Sequence, residues 1–409
     1  MLVLLKSSKP LCALGLLLVA GCSGSGKSST TPPARSVTAQ LPPPAIVRSA
    51  PAGTPVVTQF AANGPASGAS VGNAPDASAI SIGISTSPGT GGYGTSGKRV
   101  LIKDAGTLLV MDPDGANRRK IAENAEAAAF SPDGNLVAYA DKQGVHVLSL
   151  LDGQSVRLAV TEGDVGSVAW SPDQKHLAYD VVSKKSWDLF LASYPPAADA
   201  PRNLGHWYES ISVSPNGKFI VHPSFDETGP PGPPDILETV NVESGKRETI
   251  YKGPTTIWEA KYAPDGSSIA FMMTDPKDNE SENDSGGAVI DLWILNLDSK
   301  KAERIMRGVY DFDWSPDARF LAIGTGSEEG DYPPDDGAVV ISSADGKDQF
   351  QLSKNAPSLR AIFSPDSKEV IFMDFNGSRL VLGDLATRKL IPLTGASPGG
   401  ADCVACGWK

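Results

Sequence analysis

Eight residues near the start of the chain, Gly21-Cys22-Ser23-Gly24-Ser25-Gly26-Lys27-Ser28, match the spacing G-x-x-x-x-G-K-[ST] letter for letter. That spacing cradles phosphates only when a helix begins at the lysine and aims its free amides at the anion. Here Thr30-Thr31-Pro32-Pro33 follows, and paired prolines forbid a helix interior. No nucleotide is expected to bind. Histidine chemistry is equally sparse. His146, His176, His206 and His222 show no H-x-x-x-H or H-E-x-x-H spacing, and no G-x-S-x-G elbow is present. His146 and His176 read as surface or half-buried residues. His206 and His222 are more open to a role, the first near a link between repeats and the second at the start of a long loop. Carboxylates are the richer resource. They gather in three stretches: Asp226 and Glu227; Asp275, Asp278, Glu280, Glu282 and Asp284; and Glu328, Glu329, Asp331, Asp335 and Asp336 around Tyr332. Such groups suit a basic protein partner or a hard cation such as Ca²⁺, and they equally suit solvated loops. None has the D-x-[DN]-x-[DN]-G register of a dedicated calcium loop, so no cofactor is expected.

The charge balance narrows the partners. The 409 residues carry 36 Lys and Arg against 47 Asp and Glu. Residues 1–97 hold five of the basic residues and one acid, Asp76, which leaves a net of about −15 on residues 98–409. A field of that sign repels phosphate backbones, and nucleic-acid binding is not expected.

The first residues read as an export signal. Lys6 and Lys9 precede the apolar run Leu11–Ala20, which is short for a bilayer span. Val19-Ala20-Gly21-Cys22 resembles the bacterial lipobox, which implies removal of residues 1–21 and lipid on the Cys22 sulfur. Acyl chains contribute about 0.8 kcal/mol per buried CH₂, so several together anchor a protein stably. By the same resemblance, Ser23 after the lipidated cysteine implies delivery to the outer membrane. Residues 22–97 are dominated by Pro, Gly, Ser, Ala and Thr and cannot bury enough apolar surface to offset ordering entropy. They are expected to form a disordered tether, with Ile80-Ser81-Ile82-Gly83-Ile84 as one short strand candidate.

Residues 98–409 must position whatever chemistry remains, and they repeat. Phe130, Trp170, Trp314 and Phe363 each precede Ser-Pro-Asp, with the variants Val213-Ser214-Pro215-Asn216 and Tyr262-Ala263-Pro264-Asp265 between. Successive spacings are 40, 43, 49, 52 and 49 residues. Each unit reads as four short strands with Ser-Pro-Asp-Gly as the turn after the first. Proline presets φ at the second turn position, and Ser and Asp can satisfy loose amides. Four-stranded units of this length are the mark of a β-propeller. The repeats resemble the WD-like repeats of the TolB-type propeller family, over essentially all of residues 98–409. Before the first Ser-Pro-Asp lie three strands without an inner one, and Cys403–Trp408 reads as an inner strand without outer ones. Joining the two gives an all-β, seven-bladed ring closed by its N- and C-terminal strands, with six blades as the alternative.

The repeat also places the acidic stretches. All three fall between the second and third strands of consecutive blades, so they share one sector of one face, where loops on a rigid scaffold usually bind. Cys403 and Cys406 are disulfide candidates in an oxidising compartment, provided a turn or bulge brings residues three apart together, with buried thiols as the alternative. The TolB resemblance implies protein–protein interaction in the envelope, although this chain lacks that family's N-terminal α/β domain. The expected function is a non-catalytic interaction scaffold, anchored by lipid and docking another envelope protein with a basic patch. The alternative is a propeller enzyme, a lyase or lactonase acting on sugars from a channel-mouth cluster.

Overall fold

The computed structural model describes residues 97–409, apart from 105, 185, 207–209, 226–234, 275–288, 327–336, 355–360, 375–378 and 394–403. The described residues form seven four-stranded antiparallel sheets and no helix. We number them as blades 1–7 and give the strands of each from the inside outward. Blade 1 is Val404–Trp408, Val100–Asp104, Thr107–Met111 and Arg119–Ala122; blade 2 is Ala127–Phe130, Leu136–Asp141, Gly144–Ser149 and Ser155–Ala159. Blade 3 is Val168–Trp170, His176–Val182, Trp187–Ser193 and Arg202–His206; blade 4 is Ser212–Val213, Phe219–Ser224, Ile236–Asn241 and Arg247–Lys252. Blade 5 is Ile257–Tyr262, Ser268–Thr274, Ile290–Asn296 and Ala302–Met306; blade 6 is Val309–Trp314, Phe320–Thr325, Ala338–Ser343 and Gln349–Gln351. Blade 7 is Ile362–Phe363, Glu369–Asp374, Arg379–Asp384 and Leu390–Pro392. The seven-bladed expectation holds, and six is excluded.

Closure comes from the two ends of the chain. Val100, Leu101, Ile102 and Lys103 pair with Trp408, Gly407, Ala405 and Val404. Arg99 and Lys409 extend the seam by exchanging two backbone hydrogen bonds. The register steps between Leu101 and Ile102, so Cys406 is the extra residue of a bulge. A bulge is the local irregularity that a Cys403–Cys406 bond requires. Cys403, like Cys22 and the Ile80–Ile84 strand candidate, lies outside the described residues.

Seven apolar clusters hold the ring, one in each gap between neighbouring blades. Second strands supply the largest share of them. In blade 1, Val100 and Ile102 pack toward blade 7 while Leu101 packs toward blade 2. With both faces covered, a second strand reads as a continuous apolar run, as in the fully buried Ser268–Thr274. Outer strands face water on one side or both, as the exposed Leu390–Pro392 shows.

The Ser-Pro-Asp turns repeat atom for atom. In blade 6 the Ser315 hydroxyl donates to Asp317 Oδ1 at 2.6 Å and accepts from the Phe320 amide at 2.8 Å. Ser315 is fully buried, and its one hydroxyl both donates and accepts, so the buried group is itself satisfied. The fourth turn residue sits at positive φ: Gly134, Gly217 and Gly266 take it without strain, while Gln174, Ala318 and Ser367 take it at φ 59°, 58° and 57°. Ala318→Gly should therefore raise stability by about 1 kcal/mol, read as a higher denaturation midpoint at unchanged m-value.

The register fixes the placement of the three long connections. Thr274 pairs with Ile290 and Ile257 with Met273; in blade 6, Thr325 pairs with both Ala338 and Val309. Second strands thus end on the face where inner strands begin, and blades 4, 5 and 6 all send their long connections out there. His222 departs from the expectation. It lies inside the second strand of blade 4, which runs on through Pro223 to Ser224, rather than at the start of a loop. The inner strand of blade 4 ends at its pair with Val221, so it asks no amide of Pro223.

Candidate functional site

The inner strands border the central channel, and most of them carry little charge there. Ala127–Phe130 and Val168–Trp170 have none. Blades 5 and 6 differ: Ile-Trp-Glu-Ala-Lys-Tyr and Val-Tyr-Asp-Phe-Asp-Trp place charges at every second position. Period two puts Glu259 and Lys261 on one face of their strand, and Asp311 and Asp313 on one face of theirs. Both strands bulge just before the cluster. The register steps between Ile257 and Ala260 in blade 5, and between Val309 and Asp311 in blade 6. Bulges of this kind re-aim side chains next to functional sites.

Lys261 is the hub. Its Nζ donates to the Phe312 carbonyl at 2.5 Å, lies 3.2 Å from Glu259 Oε1 and 4.0 Å from Asp313 Oδ1. The Phe312 ring centroid is 4.8 Å from the same atom. From the other strand, Trp314 Nε1 donates to the Lys261 carbonyl at 3.3 Å, which fixes the two blades against each other. About a quarter of the Lys261 side chain and a third of Asp313 remain open to solvent, so the cluster is reachable from the channel although protein surrounds it.

Burial pushes the Asp313 carboxyl up to about 6; Lys261 pulls against this, and Asp311 and Glu259 push further upward. Burial alone would lower the Lys261 ammonium, yet Glu259, Asp311 and Asp313 outweigh it and hold it above the ordinary lysine range. Three carboxylates thus gather around Lys261, and when Asp313 takes a proton below about pH 6 the cluster loses one negative charge. Such a site attracts a cationic group and does so more strongly above pH 6.

The sequence-selected residues fare differently. Asp226, Glu227, Asp275, Asp278, Glu280, Glu282, Asp284, Glu328, Glu329, Asp331, Tyr332, Asp335 and Asp336 all lie outside the described residues. The strands that flank them, however, place their connections on consecutive blades that include the two bearing the channel cluster. All four histidines sit outside the inner ring. His146 stacks on Tyr139 at 5.0 Å and meets Asp141 at 3.1 Å, and His206 is mostly exposed beside Asp188. His176 starts the second strand of blade 3, and His222 is buried with Glu238 and Arg247 between blades 3 and 4. Among the described residues, no group of three or more His, Cys, Asp or Glu is arranged to hold a metal ion. Glu259, Lys261, Asp311 and Asp313 were not singled out from sequence. Their signal was present as alternating charge in the inner strand just before the turns at Ala263-Pro264-Asp265 and Ser315-Pro316-Asp317, where the other repeats are apolar or small.

No protein-family model matches the chain. It is 22% identical over 283 residues to a Tricorn protease homolog of Saccharolobus solfataricus, which covers 68% of this chain and 21% of that protein. The chain thus spans about a fifth of the length of that relative. Among solved structures it is similar to an oligogalacturonate lyase in complex with manganese, with TM-score 0.51, 15% identity, and coverage of 72% of this chain and 83% of the other. It is also similar to TolB from Acinetobacter baumannii, with TM-score 0.47, 15% identity, and coverage of 62% and 63%. At these identities the likeness is one of fold alone; the seven blades are those of this chain's own sheets.

Proposed function

We propose that this chain is a lipid-anchored propeller of the bacterial cell envelope, a non-catalytic platform that docks a protein presenting a basic segment. The observation that carries this reading is the channel cluster: Glu259, Asp311 and Asp313 gather around Lys261 on two adjacent inner strands. The three acid-rich connections leave consecutive blades, 4 to 6, which include those two. Together they make one sector strongly attractive to Lys and Arg side chains, which favours fast, salt-dependent encounter. Cys22 holds the platform to the outer membrane, and residues 22–97 space it from the lipid. The positions of the four histidines, each away from the inner ring, support a scaffold over a lyase or lactonase.

Photo-crosslinking from the channel wall in the native envelope tests the reading. Capture of a partner should fall at least tenfold in Glu259→Gln/Asp311→Asn, weaken with added salt, and rise between pH 5 and pH 7 as Asp313 ionises. Capture that ignores both neutralisation and salt would sink the proposal. In the same cells, Cys22→Ala should move the chain into the soluble fraction. Turnover of oligogalacturonate with Mn²⁺, lost in His222→Ala, would replace the scaffold with the enzyme.

A further inference from the structure

The face of short turns is regular in four repeats and irregular in two neighbours. Blade 4 has Asn216 where the others have aspartate, and blade 5 has Ala263 where the others have serine. Both irregular turns border one cleft of about 410 Å³ between blades 4 and 5. That volume falls within the range of about 300–1,000 Å³ typical of small-molecule sites. It lies on the face opposite the acidic connections, so it is separate from the docking sector.

The chemistry of the lining follows from the substitutions. Asn216 Oδ1 accepts from the Ser214 hydroxyl at 2.8 Å and the Lys218 amide at 2.9 Å, as the aspartates do in their turns. That fixes the amide orientation and leaves the Nδ2 group, absent from an aspartate, as a donor beside the cleft. In blade 5, Ala263 offers no hydroxyl, and Asp265 is held instead by the Ser267 amide and hydroxyl at 2.9 and 2.8 Å. Glu248 and its cross-strand partner Thr239 both line the cleft, with Ile250 at the bulge of the same outer strand, so blade 4 presents the face of its sheet rather than its hydrogen-bonding edge. An added peptide strand would need the edge. Tyr262 and Lys300 complete the set from blade 5.

We propose that this cleft binds a short neutral saccharide. A pyranose is apolar on its ring face and carries hydroxyls that donate and accept around its rim. Tyr262 and Ile250 suit the first. Glu248 and Asp265 as acceptors, with Asn216 and Lys300 as donors, suit the second. The three charges sum to −1, which disfavours a uronate and leaves an uncharged sugar as the better fit.

Saturation-transfer NMR with the full chain tests the site, using triacetylchitotriose and trigalacturonate as the two probes. Transfer is expected from the first, and at least tenfold weaker binding from the second. Asn216→Asp restores the form found in the other turns, so it should keep the melting temperature while weakening triacetylchitotriose at least fivefold. Glu248→Gln, on an exposed position, should also weaken it. Absence of transfer from triacetylchitotriose, equal binding of trigalacturonate, or binding indifferent to both substitutions would each overturn the proposal. None of these results bears on the crosslinking at the channel.

Discussion

Removing Val404–Lys409 should leave a chain that aggregates and shows no cooperative thermal transition, although only one of the twenty-eight strands among the described residues is gone. The deleted strand is the inner strand of blade 1, the C-terminal segment whose pairing with Val100–Lys103 closes the ring. Without it, Val100, Leu101 and Ile102, all fully buried, lie on an open strand edge. Their side chains also pack on blades 7 and 2, so the deletion exposes only part of each, at less than the about 5–9 kcal/mol of exposing all three fully, which is still a large share of a domain's stability. The bared edge also offers unpaired amides to other copies of the chain. Closure, rather than the loss of six residues, is the cause to isolate. A permutant that joins Lys409 to Lys98 through a short linker and opens between blades 3 and 4 keeps every sheet, and it should melt cooperatively. Gly407→Val is a milder probe, since a Cβ there would meet the Phe130 ring at 3.1 Å. It should cost about 1–3 kcal/mol. A deleted chain that stays monomeric and melts within a few degrees of the parent would refute the closure argument.

The ring was legible in the sequence because its signals are local and repeated. Each Ser-Pro-Asp turn announces the end of an inner strand, and the orphan strand at Trp408 has one vacancy to fill. The side on which the long connections emerge was legible for the same reason, since strand order in a blade dictates it. The channel cluster was not. Asp311 and Asp313 alternate with apolar residues just as an ordinary half-solvated strand would, and only the ring shows that both turn toward Lys261. His222 misled for a local reason: Pro223 reads as a strand breaker, and sequence cannot show that the inner strand beside it stops short. The cleft was hidden by the very regularity that revealed the fold, because Asn216 and Ala263 read as tolerated variants until their turns are seen to border one space.

Arg247→Met should lower stability by about 2–4 kcal/mol. The guanidinium ties blade 4 to blade 3. Its Nη2 donates to the carbonyls of Leu204 and His206 at 2.8 and 2.7 Å, and its Nη1 donates to Glu238 Oε2 at 2.6 Å. Two backbone features aim those carbonyls. Leu204 is the extra residue of a bulge, and Gly205 at φ 94° leaves room for the guanidinium, which a Cβ there would meet at 3.2 Å. Methionine fills much of the same volume but leaves Glu238 with His222 and no guanidinium, and takes the donor from two carbonyls; removing one partner of a buried pair costs about 3–5 kcal/mol. Arg247 is about a quarter exposed, which sets the expectation somewhat lower. Arg247→Lys keeps the charge without the fork and should recover only part of the loss. The network also has a pH signature. Burial holds His222 below its ordinary value, so it stays neutral in the fold. Burial would raise Glu238, but hydrogen bonds from His222 and Arg247 outweigh it and hold it below the usual carboxylate range. Both groups bind fewer protons folded than unfolded, so their contribution is present at neutral pH and is lost on acidification, first below the ordinary histidine value and then below the ordinary glutamate value. Denaturation midpoints of the parent and of Arg247→Met should therefore converge as pH falls from 7 to 4. Parallel curves across that window would show that Arg247 holds the two blades by packing alone.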